Sequence, residues 1–97
     1  MDGKISVVIV DDSRETVENI RTLLRFETTV EVIGAAFDGK ESIRLSEKLK
    51  PDIVLMDVNM PEMDGLTATQ IISMQQPETG VIIMSVQGEK EYLKKAM

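Results

Sequence analysis

The 97 residues contain no cysteine and no histidine. Without cysteine, disulfides and thiolate metal sites are excluded. Without histidine, the commonest general base and every imidazole ligand are gone. A metal in this chain must therefore be held by oxygen, which suits Mg²⁺, Ca²⁺ or Mn²⁺. Runs of Lys and Arg are also missing, and the formal net charge is −6. Phosphate backbones are held by cationic side chains, so nucleic acid is not expected as a direct partner. No apolar run reaches membrane-spanning length and the N-terminus lacks a signal-peptide pattern, so a cytoplasmic protein without membrane contact is expected.

What is present fits one soluble domain. Hydrophobic residues make up 42% and charged residues 29% of the chain, an ordinary globular balance at single-domain length. Short β-branched runs alternate with amphipathic stretches. Ile5–Val10 is a continuous apolar run of strand length, as expected of a strand covered on both faces. Val17, Ile20 and Leu24 then recur at helical spacing, and Asp12 and Glu15 are spaced like a capping box. Val30–Ala36 reads as a second strand. Asp38 and Gly39 open a second helix, which Pro51 follows. Residues 53–56 form a third strand ending at Asp57, and residues 81–84 a fourth ending at Ser85. Between them, Asp64-Gly65 opens a third helix whose apolar side is Leu66, Ile71, Ile72 and Met74. Residues 88–97 start a fourth helix. Strands alternating with helices predict a parallel α/β sheet with helices on its faces.

Parallel strands end on one edge of their sheet. Asp11 and Asp12 end the first strand, Asp57 the third and Ser85 the fourth. Ligands of open α/β sheets bind beyond those carboxyl ends. If strands one and three are neighbours, three carboxylates converge with a hydroxyl close by. Such a cluster repels itself, and a divalent cation removes the penalty. A carboxylate beside that cation can act as nucleophile toward a phosphoryl group. Taken alone, an acidic pair after a strand is more often a helix cap than a metal site, and Asp12 or Ser13 can cap the first helix; Asp64 caps the third with Gly65 giving a tight entry. The methionines Met56, Met60, Met63, Met74 and Met84 read as core filling, and Phe26 and Tyr92 as packing residues. Asp52 belongs at the far end of strand three.

Three motifs carry a family resemblance: the apolar strand followed by Asp11-Asp12, the stretch D-V-N-M-P-E-M-D-G from Asp57 to Gly65, and VIIM followed by Ser85. From about Lys4 to Met97 the chain resembles the receiver domain of two-component response regulators. The resemblance implies a doubly wound, flavodoxin-like fold of strand order 2-1-3-4, with residues 1–97 forming one receiver domain. It implies that Asp57 accepts a phosphoryl group from a sensor histidine kinase, and that the domain then switches conformation to control an output. Asp12 would bind Mg²⁺ directly, Asp11 through water, and the backbone carbonyl of Asn59 would complete the set, with Mn²⁺ as a substitute. Ser85 would bond a phosphoryl oxygen, and Asn59 and Gln87 would set the dephosphorylation rate. A phosphoacceptor of this kind is not an enzyme beyond losing its own phosphoryl group.

Receivers ordinarily continue with a fifth strand, a Lys-Pro at its end and a fifth helix. The sequence stops before these, so a C-terminally incomplete receiver is expected, and none of Lys90, Lys94 and Lys95 is assigned the role of that Lys. Two consequences are expected. The fourth strand becomes an exposed hydrophobic edge that invites a homodimer, through that strand or the last helix. The runner-up reading is a Mg²⁺-binding fragment that phosphorylates poorly and acts through oligomerisation or a partner.

Overall fold

A computed structural model describes residues 3–58, 60 and 63–84. Its elements run β1 (Ile5–Val10), α1 (Arg14–Leu24), β2 (Val30–Ala36), α2 (Gly39–Leu49), β3 (Ile53–Asp57), α3 (Gly65–Gln75) and β4 (Gly80–Met84). The four strands form one parallel sheet in the order β2-β1-β3-β4. This is the doubly wound order expected from the resemblance. The expected fourth helix, residues 88–97, and Tyr92 within it fall outside the described residues.

The central strands β1 and β3 are apolar runs because both sheet faces are covered there. Val8, Val10, Val54 and Met56 point to the face held by α2 and α3, where Ala68 and Ile72 meet them. Val7 and Ile9 point to the other face, where α1 supplies Val17, Ile20 and Leu24. Between β1 and β2 the register slips: Val7 pairs with Val32 but Val8 pairs with Gly34, leaving Ile33 as an extra residue. The missing Cβ at Gly34 leaves room for α2, since one built there would lie 3.1 Å from Leu49 and 3.2 Å from Leu45.

The helices start at side-chain caps. Ser13 Oγ accepts from Thr16 N at 3.2 Å, Asp38 Oδ1 from Glu41 N at 2.7 Å, and Asp64 Oδ1 from Thr67 N at 2.8 Å. The expected Asp12–Glu15 capping box is thereby corrected. Asp11 Oδ1 accepts from Ser13 N at 2.9 Å, and this tight turn moves the cap one residue on, to Ser13. At α2 the Glu41 carboxylate also reaches back past the cap, Oε1 accepting from Phe37 N at 2.8 Å. Helix α2 ends at Lys50, which takes the left-handed conformation with φ 47° although it is not glycine.

Three packing expectations fail. Phe26 is 79% exposed and Met74 81% exposed, so neither fills the core. Leu66 is also exposed, whereas Ile72 is buried as expected and Ala68, not among the expected residues, is buried beside it. A helix lying on a sheet buries only the residues that face it, and small Ala68 permits the approach. Met56 and Met60 are buried as expected, and Met63 packs against the same cluster. At the amino end of the sheet, Asp52 accepts from both the backbone N and the Oγ of Ser6, at 2.8 and 3.1 Å. It lies away from the carboxyl edge, as expected.

Candidate functional site

The carboxyl edge of the sheet brings Asp11, Asp12 and Asp57 together. Strands β1 and β3 are neighbours, with Val10 opposite Met56. The residues that follow or end these strands therefore meet. Each of the three carboxylates offers an oxygen within 4.8 Å of the others. Asp11 and Asp57 are buried and Asp12 is exposed, so the cluster opens to solvent on one side.

Backbone contacts fix these positions. Asp11 N donates to Ala36 O at 3.1 Å, tying the acidic pair to the end of β2. Asp57 is opposite Met84 in the β3–β4 pairing, and Val58 N donates to Met84 O at 3.3 Å. The chain after Asp57 comes back at Gly65, whose N donates to Val58 O at 3.3 Å. A Cβ at Gly65 would run into the backbone carbonyl of Asp57, lying 2.8 Å from its carbon. The sequence pattern gives Gly65 only a helix-entry role. Its contact with Asp57 joins residues well apart in the chain, and only the Asp-Gly pair placed shortly after β3 hints at it. Gly39 makes a similar close approach: a Cβ there would lie 2.8 Å from Met63 O. These two contacts press the α2 and α3 entries against the segment that carries Asp57.

The electrostatics follow from crowding. Burial pushes the Asp11 carboxyl above its ordinary value, and repulsion from Asp57 and Asp12 adds to it, against the lowering hydrogen bond from Ser13 N. Three carboxylates in this state want a positive charge among them. An all-oxygen set, partly open to water, has the chemistry of a hard divalent cation site. Asp11, Asp12 and Asp57 could hold such an ion. The Arg14 guanidinium stacks over the Phe37 ring, 4.2 Å from its centroid. Asn59, Ser85 and Gln87 lie outside the described residues, and so do Lys90, Lys94 and Lys95.

Comparisons with known proteins point one way. Residues 7–97 match the model of the response regulator receiver domain. A protein-glutamate methylesterase/protein-glutamine glutaminase of Geobacter sulfurreducens is 44% identical over 94 residues, which are 97% of this chain and 25% of that protein. The transcriptional regulatory protein DegU of Brevibacillus brevis is 34% identical over 92 residues, 95% of this chain and 39% of that protein. The chain thus spans well under half the length of these relatives. Among solved structures, the CheX–CheY–BeF₃–Mg²⁺ complex of Borrelia burgdorferi contains a chain with a TM-score of 0.78 and 33% identity, covering 93% of this chain and 68% of that one.

Proposed function

Because this chain belongs to the response regulator receiver domain family, we propose that it is a phosphoacceptor in which Asp57 takes a phosphoryl group from a phosphohistidine of a sensor histidine kinase. The observation that carries the reading is the position of Asp57. It ends β3 within 4.8 Å of two further carboxylates, at the sheet edge where ligands of this fold bind.

A carboxylate oxygen of Asp57 attacks phosphorus in line with the leaving nitrogen. The O–P bond forms and the N–P bond breaks. The electron pair returns to the imidazole, and an acyl phosphate is left on Asp57. Asp12 directly, Asp11 through water and Asn59 through its carbonyl would hold Mg²⁺ (or Mn²⁺) beside Asp57. When bound, the cation neutralises charge on the transferring group. The similar Borrelia complex contains Mg²⁺ together with BeF₃, which supports the same ion here. The exposed side of the cluster, at Asp12, leaves the donor a way in. Ser85, which follows Met84 in sequence, supplies a hydroxyl to a phosphoryl oxygen. Asn59 and Gln87 govern the water that later removes the group. The chain works as one receiver domain of the cytoplasm, with no turnover chemistry on other substrates and no direct contact with nucleic acid. Among the described residues no helix is long and apolar enough to cross a membrane.

Acetyl phosphate with Mg²⁺, followed by intact mass, tests the reading. One added phosphoryl group, lost in Asp57→Asn, is the expected result. Mg²⁺ binding with no adduct would instead favour a cation-binding module that acts through a partner. A second copy is the partner favoured in that case, because β4 exposes Ile82 by 50% and Ile83 by 41%.

A further inference from the structure

We propose that Arg14 receives the carboxylate that departs when the phosphoryl donor is an acyl phosphate, and that the Phe37 ring holds Arg14 ready for it. The inference rests on Asp57 being the phosphoacceptor and adds a second class of donor to that reading.

The register places this pair at the acidic edge. Val10 pairs with Ala36 at the end of the β1–β2 ladder, and Asp11 N donates to Ala36 O at 3.1 Å. The next residues along the two chains are Asp11 and Phe37, side by side. Arg14 opens α1 two residues after the exposed Asp12, and its guanidinium lies 4.2 Å from the centroid of the Phe37 ring. Two observations set Arg14 apart. It is a cation in the first turn of a helix, where the helix dipole favours carboxylates. Among the described residues it also enters no ion pair, although Asp12 and Glu15 are its near neighbours in sequence. Asp11, Asp38 and Glu41 already accept from backbone amides, and Asp12 belongs to the proposed cation site. The ring therefore carries a guanidinium whose donors are unused by the fold.

Chemistry selects the donor. Asp57 attacks phosphorus, the bond between phosphorus and the leaving atom breaks, and the electron pair stays on that atom. From an acyl phosphate the leaving group departs as a carboxylate, whose two oxygens match the guanidinium fork. From phosphoramidate, already protonated on nitrogen, it departs as neutral ammonia and gives the fork no charge to hold. An interaction that grows as the negative charge develops speeds transfer of the phosphoryl group.

The test follows the gain of one phosphoryl group by the full chain, by intact mass with Mg²⁺, from acetyl phosphate and from phosphoramidate. Arg14→Gln should slow labelling by acetyl phosphate about tenfold and change labelling by phosphoramidate less than about twofold. Arg14→Lys, which keeps the charge without the fork, should recover part of the acetyl phosphate rate. Phe37→Leu, which keeps Arg14 but removes its ring, should slow acetyl phosphate selectively as well. The proposal is overturned if Arg14→Gln slows both donors alike, if it slows neither, or if Phe37→Leu labels like the parent. A parent chain that takes the group from neither donor would overturn the phosphoacceptor reading itself, and this proposal with it.

Discussion

Gly65 lies against the backbone carbonyl of Asp57, so closely that any Cβ at Gly65 would collide with it. The residue that opens α3 thus fixes the backbone of the residue that ends β3. Side-chain placement at the acidic edge depends on this contact, because the chain between the two residues returns to its own starting point.

Gly65→Ala should therefore damage both stability and chemistry. The Cβ has backbone on its far side, which cannot rotate away. A loss of about 1–3 kcal/mol is expected, as for other forced overpacking. Thermal unfolding followed by circular dichroism measures it. The surviving folded fraction should label poorly with acetyl phosphate. Normal melting and normal labelling together would show that the chain around Asp57 has room to move.

Magnesium should stabilise the chain through the three carboxylates. At one hundred times its dissociation constant, a ligand of the folded state alone adds about 2.7 kcal/mol. Differential scanning fluorimetry with and without MgCl₂ reads this as a rise in Tm. The rise should shrink strongly in Asp57→Asn and in Asp12→Asn. Equal rises in both variants and the parent would place the ion elsewhere.

Lys50 is a candidate for improvement. It holds a left-handed conformation at the end of α2 and precedes Pro51. A non-glycine residue in this region is strained by its Cβ. Lys50→Gly should raise stability by about 0.5–1 kcal/mol. For a domain of this length that is a shift of a few degrees in Tm. An unchanged or lower Tm would mean that the entropy of the unfolded glycine chain outweighs the relief.

Asp64 gives a pH signature. Hydrogen bonds from Thr67 hold its carboxyl below the ordinary value. Its cap thus favours the charged form. The stability it contributes is present above the unfolded carboxylate value and is lost as pH falls through the lowered, folded one. The Tm difference between the parent and Asp64→Ala should be constant near neutrality and should close in that acidic window. A difference that persists at still lower pH would assign the effect to packing.

Much of this architecture is legible in the amino-acid order. Strand β1 reads as a strand because Ile5–Val10 is apolar without interruption, and the acidic residues at strand ends stand out against such runs. The convergence of Asp11, Asp12 and Asp57 needs only that β1 and β3 be neighbours. What escapes reading depends on contacts distant in sequence. Periodicity picks out Ile72 on α3 correctly, but not that the sheet lies beneath Ala68 while Leu66 and Met74 face solvent. Phe26 follows α1 and projects into solvent, which no local pattern reveals. Ser13 and Asp12 both read as candidate caps of α1, and only the contact of Asp11 with Ser13 N decides between them.

The slip at Ile33 has a consequence for assembly. An extra residue bends β2 and breaks the even ladder that an incoming strand would have to match, and Glu31 adds a charge beside it. Among the described residues β4 is the other edge, and its pairing with β3 carries no such irregularity. The β2 end of the sheet therefore resists joining, and a second copy of the chain is not expected to add a strand there.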